Sequence, residues 1–243
     1  KKLLKMSVGK KEKINVLSLF DGMSCGQIAL NKVGIEYENY FASEIDEYGI
    51  KVTKHNYPNT KHLGNVKNIN YNELPKIDLL IGGSPCQSFS FAGKQKGMTT
   101  KDNVEILTLE HYLELKNNGF EFQGQSYLFW EYMNALITLK PKYFLLENVK
   151  MSDKWKKVLS NAIGCEPILI CSGNISAQNR PRYYWTNIPN VVEPTKIDIK
   201  LKDILQTDVS ERYNIKDERV DTLMKFLSKN YRATGKVQTL TTE

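Results

Sequence analysis

Four short apolar runs, each stopped by a glycine turn or an acidic residue and separated by helix-like stretches, constrain this chain more than any other feature. The runs are Ile14–Phe20 before Asp21-Gly22, Tyr40–Ser43 before Glu44, Ile77–Ile81 before Gly82-Gly83, and Tyr143–Leu146 before Glu147. Between them, the spacing predicts helices over 26–33, stopped by Gly34, and over 127–139, ended by Pro141. Residues 166–171 and 182–185 read as two further strands. Continuous apolar strands alternating with helices specify an α/β fold, a doubly wound, mostly parallel sheet covered on both faces. In such sheets ligands sit beyond the carboxyl ends of the strands. Phe20, Glu44, Cys86 and Glu147 fall at or just past those ends and are expected on one rim.

Around that core the chain divides into a basic N-terminal tail (1–13, with Lys1, Lys2, Lys5, Lys10, Lys11 and Lys13), an α/β domain over 14–190, and a polar, poorly periodic remainder over 191–243. An insertion at 99–124 interrupts the domain; within it, 104–116 has helical periodicity. A short helix is expected over 220–227. Residues 237–243 read as a strand cut short, so the chain is expected to be incomplete at this end.

No apolar run approaches the roughly 18 residues of a membrane span, and the lysine-rich start lacks a signal-peptide core. A cytoplasmic protein with no membrane partner is expected. Thirty-four basic against 27 acidic residues give a net charge of +7, an excess that suits a polyanionic partner and equally suits simple solubility. Cys25, Cys86, Cys165 and Cys171 show no paired two-residue spacing, and His55, His62 and His111 do not cluster with them, so neither a metal nor a disulfide is expected. Cys25, Cys165 and Cys171 read as small, partly buried side chains.

A strand, a glycine-bearing turn and a helix, with an acid about 20 positions on, form a nucleotide-type cradle. Gly22, Gly26 and Glu44 match that layout. The three-glycine dinucleotide fingerprint is missing, which favours a cofactor without phosphate. The competing interpretation makes Gly22 a plain turn residue and Glu44 a solvated acid.

Gly82-Gly83-Ser84-Pro85-Cys86-Gln87 places a cysteine in a loop after a buried strand, with Lys94 and Lys96 close behind. A partly exposed cysteine near positive charge gains thiolate character and can attack carbon. Most loop cysteines do nothing of the kind. Cys86 gains weight from Glu147-Asn148-Val149, after another buried strand, and from Gln178-Asn179-Arg180-Pro181-Arg182.

Taken in order, Phe20-Asp21-Gly22 with Gly26, Glu44, Pro85-Cys86-Gln87, Glu147-Asn148-Val149 and Gln178-x-Arg180-x-Arg182 resemble the motif series of the DNA cytosine-5 methyltransferases, over about residues 14–189. The stretch from Leu17 to Gly22 with Gly82 to Cys86 is similar to the animal de novo enzymes. The stretch from Gln87 to Gly97 looks more like bacterial and phage modification enzymes, including those of restriction–modification pairs, and a bacterial or phage origin is expected.

The resemblance implies the class I S-adenosylmethionine-dependent methyltransferase fold, with S-adenosylmethionine as methyl donor, S-adenosylhomocysteine as product, and no metal. It implies methyl transfer to carbon-5 of a cytosine flipped out of double-stranded DNA, through a covalent Cys86 adduct at carbon-6. Glu147 would donate to ring nitrogen-3 from a dry pocket that raises its pKa, and Arg182 would hold the oxygen at position 2. Arg180 would support the loop or Glu147, and Asn148 would order the turn behind them. On the cofactor side, Asp21, Gly22, Met23 and Gly26 form the turn, Phe20 lids the adenine, Glu44 takes the ribose hydroxyls and Ile45 packs on the purine. Asn65 and Val66, Pro85, and Leu128 near the methionine end complete the set. Gly64-Asn65 stands where the family usually has glycine and aspartate, so the adenine amino group would meet an uncharged acceptor. Residues 14–190 become the catalytic domain and 191–243 the start of a target-recognition region, completed by a missing C-terminal segment or a second chain. Two other functions use the same residues: a transfer-RNA cytosine-5 methyltransferase, and a non-catalytic DNA-binding partner lacking its C-terminal part.

Overall fold

The computed structural model describes residues 13–85, 98–206, Ser210 and the backbone of Val237–Gln238. Chain contacts separate two units, one built from residues up to Pro167 together with Trp185–Pro189, the other from Ile168–Tyr184 and the described residues from Asn190 on.

The first unit centres on parallel strands. β1 (Ile14–Leu19) lies between β2 (Tyr37–Ser43) and β4 (Leu79–Gly83); β3 (Lys61–His62) flanks β2, and β7 (Tyr143–Val149) flanks β4. Val16, Leu17 and Leu19 are fully buried, as a strand covered on both faces requires. The register aligns Ser43, Leu19, Gly82 and Leu146 across four neighbouring strands, and the next rung pairs Gly83 with Glu147. Trp185 and Thr186, the end of β10 (Pro181–Thr186), close this unit beside β7, where Thr186 Oγ1 donates to the Phe144 carbonyl at 2.5 Å and Asn187 Oδ1 accepts from Phe144 N at 2.8 Å. Counted through β10, the mixed α/β sheet has seven strands.

Among the described residues five α-helices accompany the strands: α1 (Cys25–Val33), α2 (Glu47–Asn56), α3 (Leu109–Asn117), α4 (Phe129–Leu139) and α5 (Asp153–Ile163). α1 buries Gln27 and Leu30 and exposes Ile28, so its inner face is part polar. Gly34, left-handed at φ 69°, ends it through hydrogen bonds to Leu30 and Asn31, the conformation glycine adopts at no cost. α3 begins at Leu109, where the Thr108 side chain accepts from His111 N at 3.2 Å; residues 104–108 precede it as extended chain. The insertion is a framed element, with β5 (Thr99–Thr100) antiparallel to β6 (Phe122–Gln123) and α3 between them. α4 follows a single turn of 3-10 helix at Ser126–Leu128.

The second unit contains β8 (Ile168–Cys171), antiparallel to the Pro181–Tyr184 portion of β10, and β9 (Gln178–Asn179), parallel to β11 (Val237–Gln238). The expected helix over 220–227 lies outside the described residues, as do the tail before Lys13 and most of the expected terminal strand. No helix among the described residues is long and apolar enough to cross a membrane.

Candidate cofactor cavity and catalytic rim

Beyond β1 the backbone makes an abrupt turn in which Phe20 (φ 58°), Gly22 (φ 59°) and Ser24 (φ 67°) are all left-handed. Two of the three carry side chains, for which that region is unfavourable, and such strain concentrates at functional sites. Several contacts hold the turn. Asp21 N donates to the Ser43 carbonyl, and Ser24 N to the Asp21 carbonyl, at 3.1 and 3.0 Å. The Tyr40 hydroxyl donates to Asp21 Oδ1 at 2.8 Å. Burial, with Asp21 alongside, holds that hydroxyl well above its ordinary pKa, so it remains a donor. Asp21 Oδ2 is buried with no hydrogen-bond partner among the described residues.

Glu44, one residue past β2, closes the turn from the other side. Its Oε2 accepts from Gly22 N at 2.7 Å; its Oε1 accepts from Ile45 N and Asp46 N at 2.7 and 2.9 Å. Three amide donors fix the carboxylate, and its unused lone pairs still suit hydroxyl donors. Asp46 caps α2, accepting from Gly49 N at 2.7 Å. Gly49 is a residue the sequence did not mark: a Cβ there would stand 2.8 Å from the Gly22 carbonyl oxygen.

Together these elements enclose a cavity of about 160 Å³, with apolar walls from Phe20, Ile45, Val66, Pro85 and Leu128. Its polar lining comes from Ser43, Glu44, Asn65 and Gln125. Seven of these nine residues are expected from the sequence; Ser43 and Gln125 are not. Asp21, Gly22, Met23 and Gly26 build the turn without lining the cavity, and Met23 points out to solvent. Gly26 is needed for packing, since a Cβ there would meet Ile81 Cδ1 at 2.4 Å and the Tyr40 hydroxyl at 2.6 Å. Asn65 Oδ1 accepts from Lys67 N at 3.0 Å, which leaves one lone pair for a ligand. Among the described residues lining the cavity, Glu44 is the single formally charged one. These residues offer a phosphate no counter-charge, whereas an adenosyl group bearing a sulfonium fits both their apolar walls and the carboxylate.

At the neighbouring strand ends, Glu147 faces Gly83 across the β4–β7 ladder, and a Cβ on Gly83 would lie 3.2 Å from Glu147 Oε2. Glu147 therefore belongs to β7 itself, which runs on to Val149, and not to the loop beyond it. Asn148 is buried; its amide donates to Ser84 Oγ at 3.0 Å and to the Ser84 carbonyl at 3.3 Å, while its Oδ1 accepts from Val149 N at 2.8 Å. Ser84 and Pro85 lead directly into Cys86, which lies outside the described residues, as do Lys94 and Lys96. In the second unit, Arg182 donates from Nη1 to the Pro181 carbonyl at 2.9 Å and stands opposite Ile170 in the β8–β10 ladder. The Arg180 carbonyl accepts from Ser172 N at 3.2 Å. Of the remaining cysteines, Cys25 is exposed rather than partly buried; Cys165 and Cys171 are half-buried. Among the described residues no group of three His, Cys, Asp or Glu side chains could hold a metal ion.

A family model described as C-5 cytosine-specific DNA methylase matches residues 14–163. The chain belongs to that family. Similar to this chain is the orphan methyltransferase M.SPRI of Bacillus phage SPR, 34% identical over 212 residues that cover 80% of this chain and 43% of that protein. The orphan methyltransferase M.Rho11sI of Bacillus phage rho11s is 39% identical over 140 residues, covering 57% of this chain and 23% of that one. A crystal structure of a Spodoptera frugiperda DNMT2 mutant superposes with a TM-score of 0.56 at 22% identity, covering 93% of this chain and 69% of that chain; at that identity the likeness is one of fold. The chain spans less than half the length of these curated phage relatives.

Proposed function

We propose that the protein transfers a methyl group from S-adenosylmethionine to carbon-5 of cytosine in double-stranded DNA, as a bacterial or phage modification enzyme. The observation that carries this reading is the cavity itself: in a chain of the C-5 cytosine-specific family, Phe20, Glu44, Ile45, Asn65, Val66, Pro85 and Leu128 converge on one pocket of apolar walls and a single carboxylate among its described residues. Its last wall, Pro85, adjoins Cys86 in sequence. The phage source of the relatives supports the modification role.

When bound, the cofactor supplies an electrophilic methyl on a sulfonium. Glu44 takes the ribose hydroxyls, and Phe20 and Ile45 embrace the purine. The cytosine is flipped out of the duplex to reach the site. The Cys86 thiolate then forms a bond to carbon-6, pushing electron density to carbon-5, which becomes nucleophilic enough to accept the methyl. Glu147 donates to ring nitrogen-3 and offsets the charge that addition creates, and Arg182 holds the oxygen at position 2, with Arg180 supporting the loop. As the methyl passes to carbon-5, the electron pair of its bond to sulfur stays on the departing thioether, S-adenosylhomocysteine. Water then takes the carbon-5 proton, and the electrons of that bond re-form the double bond and expel the Cys86 thiolate from carbon-6. Asn148 fixes the Ser84–Pro85 entry to the cysteine loop. Residues 191–243 contribute to the target-recognition region.

The test is tritium transfer from labelled cofactor by the full-length protein into duplex DNA and into transfer RNA. Labelling of DNA, together with a covalent complex on DNA containing 5-fluorocytosine that Cys86→Ser cannot form, supports the reading. Labelling confined to RNA assigns a transfer-RNA enzyme instead, and no labelling with no complex assigns a non-catalytic partner.

A further inference from the structure

The Thr99–Gly124 insertion ends one residue short of Gln125, and Gln125 lines the cavity with an exposed side chain. Gly124 is left-handed, at φ 66°, and turns the chain out of β6 so that Gln125, the 3-10 turn and Leu128 form one wall. The approach to that wall is anchored deeply. Glu131 of α4, 1% exposed, accepts on a single oxygen from the Tyr112 hydroxyl and the Lys116 ammonium of α3, both at 2.6 Å. The Tyr112 ring lies 5.1 Å from Phe122 of β6, and Phe122 stacks on Tyr127 at 4.5 Å. Lys67, next after the cavity residue Val66, reaches the Tyr127 hydroxyl at 3.5 Å. The insertion thus bears on both the Asn65–Val66 wall and the Gln125–Leu128 wall.

We propose that the insertion serves the cofactor: it presents the Gln125 amide to the adenine edge and holds it there through the Tyr112–Glu131–Lys116 latch. The inference rests on the cavity being the cofactor site. A carboxamide offers both an acceptor and a donor, the pairing by which glutamine reads the amino group and an adjacent ring nitrogen of adenine. Asn65, with one oxygen lone pair committed to Lys67 N, is left with reduced capacity for the same task. Gln125 supplies the missing contact, and Tyr112, Lys116 and Glu131 are positioning residues for it.

The experiment measures binding of S-adenosylhomocysteine and of S-inosylhomocysteine, in which an oxo group replaces the adenine amino group, to the full-length protein. One neutral hydrogen bond corresponds to about a three- to ten-fold change in affinity. Gln125→Ala is expected to weaken adenosyl binding by about that factor, to leave inosyl binding nearly unchanged, and so to shrink the discrimination between them. Gln125→Glu, which keeps an acceptor for the amino group, is expected to retain more discrimination than alanine. Tyr112→Phe, which keeps the ring and removes one bond to Glu131, is expected to reduce discrimination by a smaller factor. Equal adenosyl-to-inosyl ratios in wild type and Gln125→Ala overturn the inference while leaving the cofactor site intact. Failure of the wild type to bind either ligand overturns the cofactor reading and the inference with it. Circular dichroism of each variant separates both outcomes from loss of fold.

Discussion

Asn148 ties the end of β7 to the loop that leads into Cys86, donating its amide to both oxygens of Ser84 at 3.0 and 3.3 Å. Its own Oδ1 is occupied by Val149 N. One buried side chain therefore fixes the strand that carries Glu147 against the backbone two residues before Cys86.

Replacing Asn148 with alanine removes these bonds and leaves buried polar groups unmatched, a loss of about 1–3 kcal/mol. Urea unfolding should show it. Because the tether holds the segment that leads into Cys86 and touches only one of the nine cavity walls, Pro85, through its neighbour Ser84, the rate of covalent trapping on 5-fluorocytosine DNA should fall by a larger factor than cofactor affinity. Equal losses in both would mean that Asn148 is only a stability residue.

Glu44 accepts three backbone amide bonds in addition to its proposed contact with ribose. Glu44→Ala should therefore weaken S-adenosylhomocysteine binding at least about ten-fold, and should also lower stability by about 1–3 kcal/mol as the amides lose their acceptor. Glu44→Gln keeps one acceptor oxygen and should recover part of the stability and less of the binding. Unaltered binding in the alanine variant, measured by calorimetry, would remove Glu44 from the site.

The strands and their ends were legible because a buried parallel strand is written as a short continuous apolar run, and β1, β4 and β7 are such runs. Two helices were not read. α2 contains Gly49, Val52 and Thr53, with a mostly polar surface, and its clearest mark is the Asp46 cap. α5 buries Trp155 and Leu159 at a four-residue spacing, between Asp153 in the first turn and Gly164 after the last, which are helix signals in the sequence itself. Glu147 was read as following its strand because the apolar run stops at Leu146, yet alternating burial carries β7 to Val149. Gln125 had no local signal. Its place in the cavity depends on how the insertion packs, through contacts between residues far apart in sequence.

His62, on β3, buries both ring nitrogens with no hydrogen-bond partner among the described residues. Burial and Lys54 lower its pKa, against a weaker opposing pull from Asp21. A histidine that holds its proton less tightly when folded contributes stability that is full above its unfolded pKa of about 6.5, and that is lost as the pH falls through this value towards the folded pKa. The urea midpoint should drop between about pH 7.5 and pH 5.5, and His62→Asn should flatten that drop. Parallel curves for the two proteins would assign the pH dependence to other groups.

The absence of a side chain at Gly49 lets α2 lie against the cofactor turn. A Cβ there would stand 2.8 Å from the Gly22 carbonyl oxygen and 3.0 Å from its carbon, both backbone atoms that cannot swing aside. Gly49→Ala must therefore move Gly22, whose amide donates to Glu44. The expected result is a stability loss of about 1–3 kcal/mol from overpacking, with a fall in S-adenosylhomocysteine affinity beyond what partial unfolding explains. Gly164→Ala supplies the contrast: its φ of 85° strains an added Cβ, but no neighbour lies within 4 Å. That variant should lose about 1 kcal/mol and bind normally. If Gly49→Ala also binds normally once folded, the turn tolerates displacement, and Glu44 holds the ribose without help from the position of Gly22.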